Sequence, residues 1–212
     1  TTATTLGTGT GGGGGGGVVI TAGSVQNCTV YGNQSASAPP GHGLYQTGGT
    51  VQNAIISGNG IGMGEIHRTG GTMQYCGVAE SGFDASNVVG DPCLADPAGG
   101  DFRLLPGSIC LDAGTPLAAV TCDIAGTARP AGDGYDIGAY EMDFTGQFVC
   151  SFTVDNPTGH DSLHVKFTSF VVGGTAPYGY AWSVSDGSVL SGPSPEKDFT
   201  YGAFDVTLTV TD

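Results

Sequence analysis

The sequence predicts an all-β chain in two parts, a short parallel β-helix followed by a small β-sandwich. Three observations predict it. A gapless internal repeat recurs at offsets of 26 and 22 residues, glycine supplies 40 of 212 residues, and alternating strand patterns begin after Glu141. An interior glycine costs a helix about 1 kcal/mol relative to alanine. It suits tight turns and close backbone approach instead. Glycine has no strict three-residue period here, which excludes collagen.

The repeat carries the first part. GVVITAGSVQNCTVYGN from Gly17, GLYQTGGTVQNAIISGN from Gly43 and EIHRTGGTMQYCGVAES from Glu65 align without gaps. Periods of this size mark stacked units that bury an apolar face on one another. The units are too short and too glycine-rich for helical pairs, and the leucine scaffold of a leucine-rich repeat is missing. In a coil of a β-solenoid, each unit runs from a strand through a Gly corner at 22–23, 48–49 or 70–71 into a second strand. The columns Val18/Leu44/Ile66, Val25/Val51/Met73 and Val30/Ile56/Val78 then face a dry interior, with Cys28/Ala54/Cys76 as a small fourth column. A change of phase between Val25 and Cys28 places a corner at 26–27. Asn27 and Asn53 are expected to stack there and bond the backbone of adjacent coils; Tyr75 interrupts that ladder. Through GSVQNCTVYGN and GGTVQNAIISGN this region resembles the right-handed parallel β-helix repeat proteins of bacterial surfaces. Handedness is implied by that resemblance alone.

Residues 91–141 contain DFRLLPGSICLDAGTP, CDIAGTARP and YDIGAYE. They resemble the choice-of-anchor Q type of C-terminal segment in secreted β-helix proteins. The resemblance implies irregular coils that end the solenoid, with no catalytic chemistry. Leu104, Leu105, Ile109 and Leu111 are expected in its core, with Ile137 and Tyr140 returning to it. Asp112, Asp123 and Asp136 are expected to meet Arg129 in a semi-buried charged corner. A structural corner is preferred there; a calcium site on the three aspartates, or a catalytic role, is the alternative.

After Glu141 come FVCSFTVDN, SLHVKFTSFVV, YGYAWSVSDG and FDVTLTVTD, with short loops of Gly, Pro and Asp. Short alternating strands at this spacing predict a sandwich. HVKFTS, GGTAPYGYAWSVSDG and YGAFDVTLTVTD resemble the PKD family of Ig-like modules. The family's Trp-Asp-Phe-Gly-Asp-Gly run stands here as Trp182 to Gly187; its first Asp and first Gly are lost, while the final Asp-Gly turn survives. Trp182 is expected in the core between the sheets, with an exposed carbohydrate platform as the alternative. The expected organisation is a Gly/Thr-rich tail over 1–17, a β-helix over 18–141 and an Ig-like module over 142–212. The sequence stops where the last strand should end, so further modules are expected in a longer gene product.

Charge and cysteines narrow the function. A formal net charge of -14 disfavours nucleic acid and anionic membranes. No apolar run approaches the ~20 residues of a membrane span. The six cysteines include no CxxC pair. An exported compartment, secreted or at the cell surface, would permit disulfides, although Cys28 and Cys76 stand two coils, ~10 Å, apart. Parallel β-helices host polysaccharide lyases and hydrolases, but a glycosidase needs two carboxylates about 5–9.5 Å apart. Glu65, Glu80 and Asp84 are the acids on the coils, and none pairs with Glu65 in its column. Arg68 is the one base-like cation there. A metal site of His42, Glu65 and His67 fits no known spacing. Tyr31, Tyr45 and Tyr75 are the candidates for a glycan-binding face. Asn27 and Asn33 begin glycosylation sequons, of which Asn33 is the one expected at the surface, and the Thr-rich start over 1–10 is a candidate for O-modification. The expected function is a non-enzymatic structural protein, without a cofactor, that self-associates. A tail strand added to a neighbour's sheet would make a head-to-tail filament.

Overall fold

The structure, a computed structural model, describes residues 5–6, 17–34, 42–60, 64–155, 157–159 and 162–212. The described residues form nineteen strands and no helix, so the chain is all-β. It divides into two compact units, Thr1–Asp143 and Phe144–Asp212.

In the first unit the chain makes successive turns of three short strands each. The first strands are β2 (Val18–Ile20), β5 (Leu44–Gln46) and β8 (Ile66–Arg68); the second are β3 (Ser24–Gln26), β6 (Thr50–Gln52) and β9 (Thr72–Gln74). The third are β4 (Thr29–Tyr31), β7 (Ile55–Ser57) and β10 (Gly77–Val78), flanked by β1 (Thr5–Leu6) and β11 (Val88–Val89). Each set forms one parallel sheet, in the orders β2-β5-β8, β3-β6-β9 and β1-β4-β7-β10-β11. Val25 pairs with Val51 and Val51 with Met73, while Val18, Leu44 and Ile66 share another rung. Val51 and Met73 are buried in one core with Val30, Ile56 and Val78, and Val25 packs against it half-buried. Of the Gly/Thr tail, only 5, 6 and 17 are described; β1 lies parallel on β4 of its own chain. The O-modification expected over 1–10 otherwise falls outside the described residues.

The corner between second and third strands sits at Asn27, Asn53 and Tyr75, with φ of 49°, 51° and 53°. Asparagine tolerates this left-handed conformation better than other non-glycine residues. Its recurrence at the corner therefore has a backbone cause, which Tyr75 does not share.

The five-stranded sheet is buried on both faces. Val30, Ile56 and Val78 face the core between the three sheets. On the opposite face, Ile55 joins a second core with Leu94, Leu104, Cys110 and Ile137. The closing segment, with the hairpin β12 (Leu94–Asp96) and β13 (Asp101–Leu104), therefore lies along the outside of that sheet. Thr29 Oγ1 accepts the Ala139 amide, and the Asn53 carbonyl accepts that of Gly138. Gly77 is small for a local reason: a Cβ there would stand 2.6 Å from Cys110 Sγ. Leu104 is buried as expected, whereas Ile109 is 36% exposed. Ile109 lies in the turn before Cys110, and Cys110 takes the inward position.

The second unit has two antiparallel sheets. β14 (Val149–Val154), β15 (Leu163–Val172) and β18 (Glu196–Phe199) form one; β17 (Val189–Ser191), β16 (Gly179–Val184) and β19 (Val206–Thr211) form the other. Trp182 is 1% exposed in their shared core with Val165, Phe167, Val184 and Phe199. Phe152 meets its ring edge-on at 5.1 Å, and its indole N–H donates to the Gly192 carbonyl at 2.9 Å. A buried indole with its N–H satisfied is a packing element, so Trp182 offers no carbohydrate platform. β17 and β18 were not anticipated, because their short stretches lack a clear alternation of apolar residues.

Candidate functional site

The densest polar constellation lies in the closing segment. Arg129 and Glu141 form an ion pair with both side chains fully buried. Arg129 also donates to the carbonyls of Asp136 (3.0 Å) and Gly138 (2.9 Å). Glu141 accepts the amides of Ala131 and Asp136. Asp136 accepts those of Asp112 at 2.8 Å and Met142 at 2.6 Å. Asp123 accepts Ala125, Thr127 and Glu141, and Asp112 accepts Gly134. The carboxylates therefore pin loop backbone that lacks sheet partners. Burial pushes the Asp136 carboxyl up to about 7, against the opposing pull of its two amide donors. Glu141 is also raised, again chiefly by burial.

Sequence reasoning named four members of this corner and missed Glu141, the acid that pairs with Arg129. The signal was present in the YDIGAYE run, which ends on this glutamate. Asp112, Asp123 and Asp136, the calcium candidates, do not converge. Among the described residues no group of three His, Cys, Asp or Glu side chains is arranged to hold a metal.

A second polar column runs through the coils, at a place the sequence did not suggest. Asn33 and Asn59 are both fully buried. Asn59 Oδ1 accepts the Asn33 backbone N–H and side-chain Nδ2, each at 3.0 Å. Asn59 Nδ2 donates to Val30 and Ser57. Asn33 is thus an inward-facing ladder residue, and the expectation of a surface sequon there is corrected. At the corner, Asn53 does not bond Asn27. Its amide instead exchanges two bonds with the Thr115 backbone, at 2.8 and 2.9 Å. Both side-chain polar atoms of Asn27 are buried without a hydrogen-bond partner. Gln46, also fully buried, donates to Gly48, Gly49 and Thr72 and accepts from Arg68 Nε.

The remaining candidates scatter. His67 stacks on Tyr45 with ring centroids 5.2 Å apart and planes at 9°. His42 packs beneath Gly60, where a Cβ would stand 2.1 Å from its ring. Glu65 accepts the Asn59 amide, and its own N–H donates to Glu80. The structure therefore brings Glu80 beside Glu65, which the repeat alignment did not; burial and then Glu80 raise the Glu65 carboxyl. Arg68 lies over Phe83 at 6.0 Å, and Asp84 accepts from the Ser86 amide and hydroxyl. Tyr31 packs on Phe102 at 5.7 Å, and Tyr75 sits at a corner, so the three tyrosines line no common face. All six cysteines are free thiols, which corrects the expectation of disulfides. Burial pushes Cys76 and Cys110 up to about 12 and Cys93 to about 11.

No helix among the described residues is long and apolar enough to cross a membrane. No protein-family model matches the chain, and neither the curated proteins nor the solved structures contain a match to it.

Proposed function

We propose that the chain is a non-catalytic structural protein of the cell surface or extracellular matrix that self-associates. On this reading the first unit is a short right-handed parallel β-helix with a choice-of-anchor Q-type closing segment. The second is a PKD-type Ig-like module.

One observation carries the structural reading. The buried polar side chains of the first unit act chiefly on backbone: Asn33, Gln46, Asn53, Asn59, Asp123, Asp136 and Glu141 each bond main-chain groups. Catalytic sites aim such groups at a shared space where a reacting atom can sit; these are aimed at the chain's own backbone, in strands as well as loops. Self-association is supported at the N-terminal end. Among the described residues β2 and β3 are the edge strands of their sheets, and no Asp, Glu, Lys or Arg precedes Glu65 in the sequence. Charged residues are a common protection of open strand edges, and here that protection is missing.

The test pairs a glycan array and a polysaccharide depolymerisation screen with electron microscopy of the purified chain. Ordered assemblies with neither saturable glycan binding nor turnover are expected. Turnover, or tight binding to one defined glycan, would replace this reading.

A further inference from the structure

The closing segment crosses the outside of the five-stranded sheet as a strap, Ile137 to Ala139. Its amides reach the Cys110 carbonyl, the Asn53 carbonyl and Thr29 Oγ1 in turn. Ile137 sits under it, fully buried with Ile55 and Cys110. Both ends of the strap are tied by carboxylates: Asp136 takes the amides of Asp112 and Met142, and Glu141 takes those of Asp136 and Ala131.

Charge does not balance here. Asp136, Glu141 and Asp123 are 0, 3 and 6% exposed, and Arg129, at 6%, is the cation among them. Asp112 faces the cluster from the more exposed side, through its amide on Asp136. Cys110 lies beside the strap with its thiol pushed up to about 12, so it adds no charge near neutrality. Three buried carboxylates against one guanidinium leave two uncompensated negative charges. A buried unpaired charge costs several kcal/mol, and such groups usually neutralise by taking up a proton.

We propose that the strap is a pH-sensitive clamp: the Asp136–Glu141 pair holds a proton when the strap is docked and releases it to solvent as the strap loosens from Thr29, Asn53 and Ile55. Glu141 accepts the Asp136 amide and its charge helps raise the Asp136 carboxyl, so the two titrations are coupled and the proton belongs to the pair. The sign follows from linkage. In the unfolded or undocked chain Asp136 titrates near its ordinary value of 3.8 and Glu141 near 4.5; in the docked state Asp136 titrates at about 7 and Glu141 is raised. Between those limits the docked state binds more protons. Its stability is full below the lower limit and declines as pH rises through the upper one. Loosening would uncover the outer face of the sheet around Ile55 while leaving the core between the sheets closed.

Hydrogen exchange of the full chain tests this, with amide rates corrected for intrinsic chemistry. Protection at Ile137, Gly138 and Ala139 should fall about a hundredfold from pH about 5 to about 8, one decade for each pH unit between pH about 5 and the docked value of about 7. Strands β15 and β18 serve as the internal reference. In Asp136→Asn the strap's protection should no longer follow pH. A flat wild-type profile, or an unchanged slope in the variant, overturns the proposal. Should the variant not fold, carboxyl carbon shifts of the wild-type chain decide. A midpoint near 7 for the pair supports the clamp, and midpoints in the ordinary carboxylate range for both overturn it.

Discussion

Asn59 Oδ1 takes two hydrogen bonds from Asn33, one turn of the chain away, and both residues are sealed from water. Asn59 also gives its two amide protons to the Val30 and Ser57 carbonyls. Truncation would take a partner from the Asn33 backbone N–H and from the Val30 and Ser57 carbonyls, while Asn33 Nδ2 keeps its bond to Tyr31. Each unsatisfied group costs about 1–3 kcal/mol, with losses that do not simply add. Asn59→Ala should therefore destabilise the first unit by about 3–5 kcal/mol. Chemical denaturation would measure it, and a loss below about 1 kcal/mol would show that water replaces the ladder.

Tyr75 makes the opposite prediction. It occupies the corner that asparagine holds in the two preceding turns, at φ 53°, and is 36% exposed. A bulky aromatic pays a conformational cost in the left-handed region that asparagine largely avoids. Tyr75→Asn should stabilise the unit by about 0.5–1 kcal/mol. A loss of stability would mean that the ring contributes more packing than its exposure suggests.

The repeat made the parallel stacking legible because each rung recurs with the same residue types: Ser24, Thr50 and Thr72, then Val25, Val51 and Met73, then Gln26, Gln52 and Gln74. The inward columns followed from alternation. Alternation could not reveal that the third sheet is covered on both faces, because Ile55 and Gly77 read as ordinary outward positions. Their partners, Leu94, Leu104, Cys110 and Ile137 (the last two for Gly77), lie more than thirty positions downstream in an irregular segment with no period of its own. The same distance hid the Asn53–Thr115 pairing. Asparagines that recur at 27 and 53 of the repeat point to a side-chain ladder there; at that corner the backbone angle explains the residue, and the inward ladder is one strand further on.

Gly77 offers a test of the covered face. A Cβ there would approach Cys110 Sγ to 2.6 Å, while Ile55 Cγ1 at 3.6 Å would be in ordinary contact. Overpacking a tight core costs about 1–3 kcal/mol. Gly77→Ala should show that loss, and adding Cys110→Ala should recover part of it relative to Cys110→Ala alone. Additive effects in this double-mutant cycle would place the closing segment elsewhere.

The thiols should separate by environment. The thiolate is the reactive form, and burial pushes Cys76 and Cys110 up to about 12. Both are also closed to reagent, whereas Cys122 is exposed. At pH about 8 a thiol near 12 is ionised about once in ten thousand molecules. Iodoacetamide should therefore label Cys122 first and leave Cys76 and Cys110 intact in the folded chain. Denaturant should release both, and mass spectrometry of digests would read each site. Rapid labelling of Cys110 alone at alkaline pH, with Cys76 still protected, would mark opening of the strap without loss of the inner core.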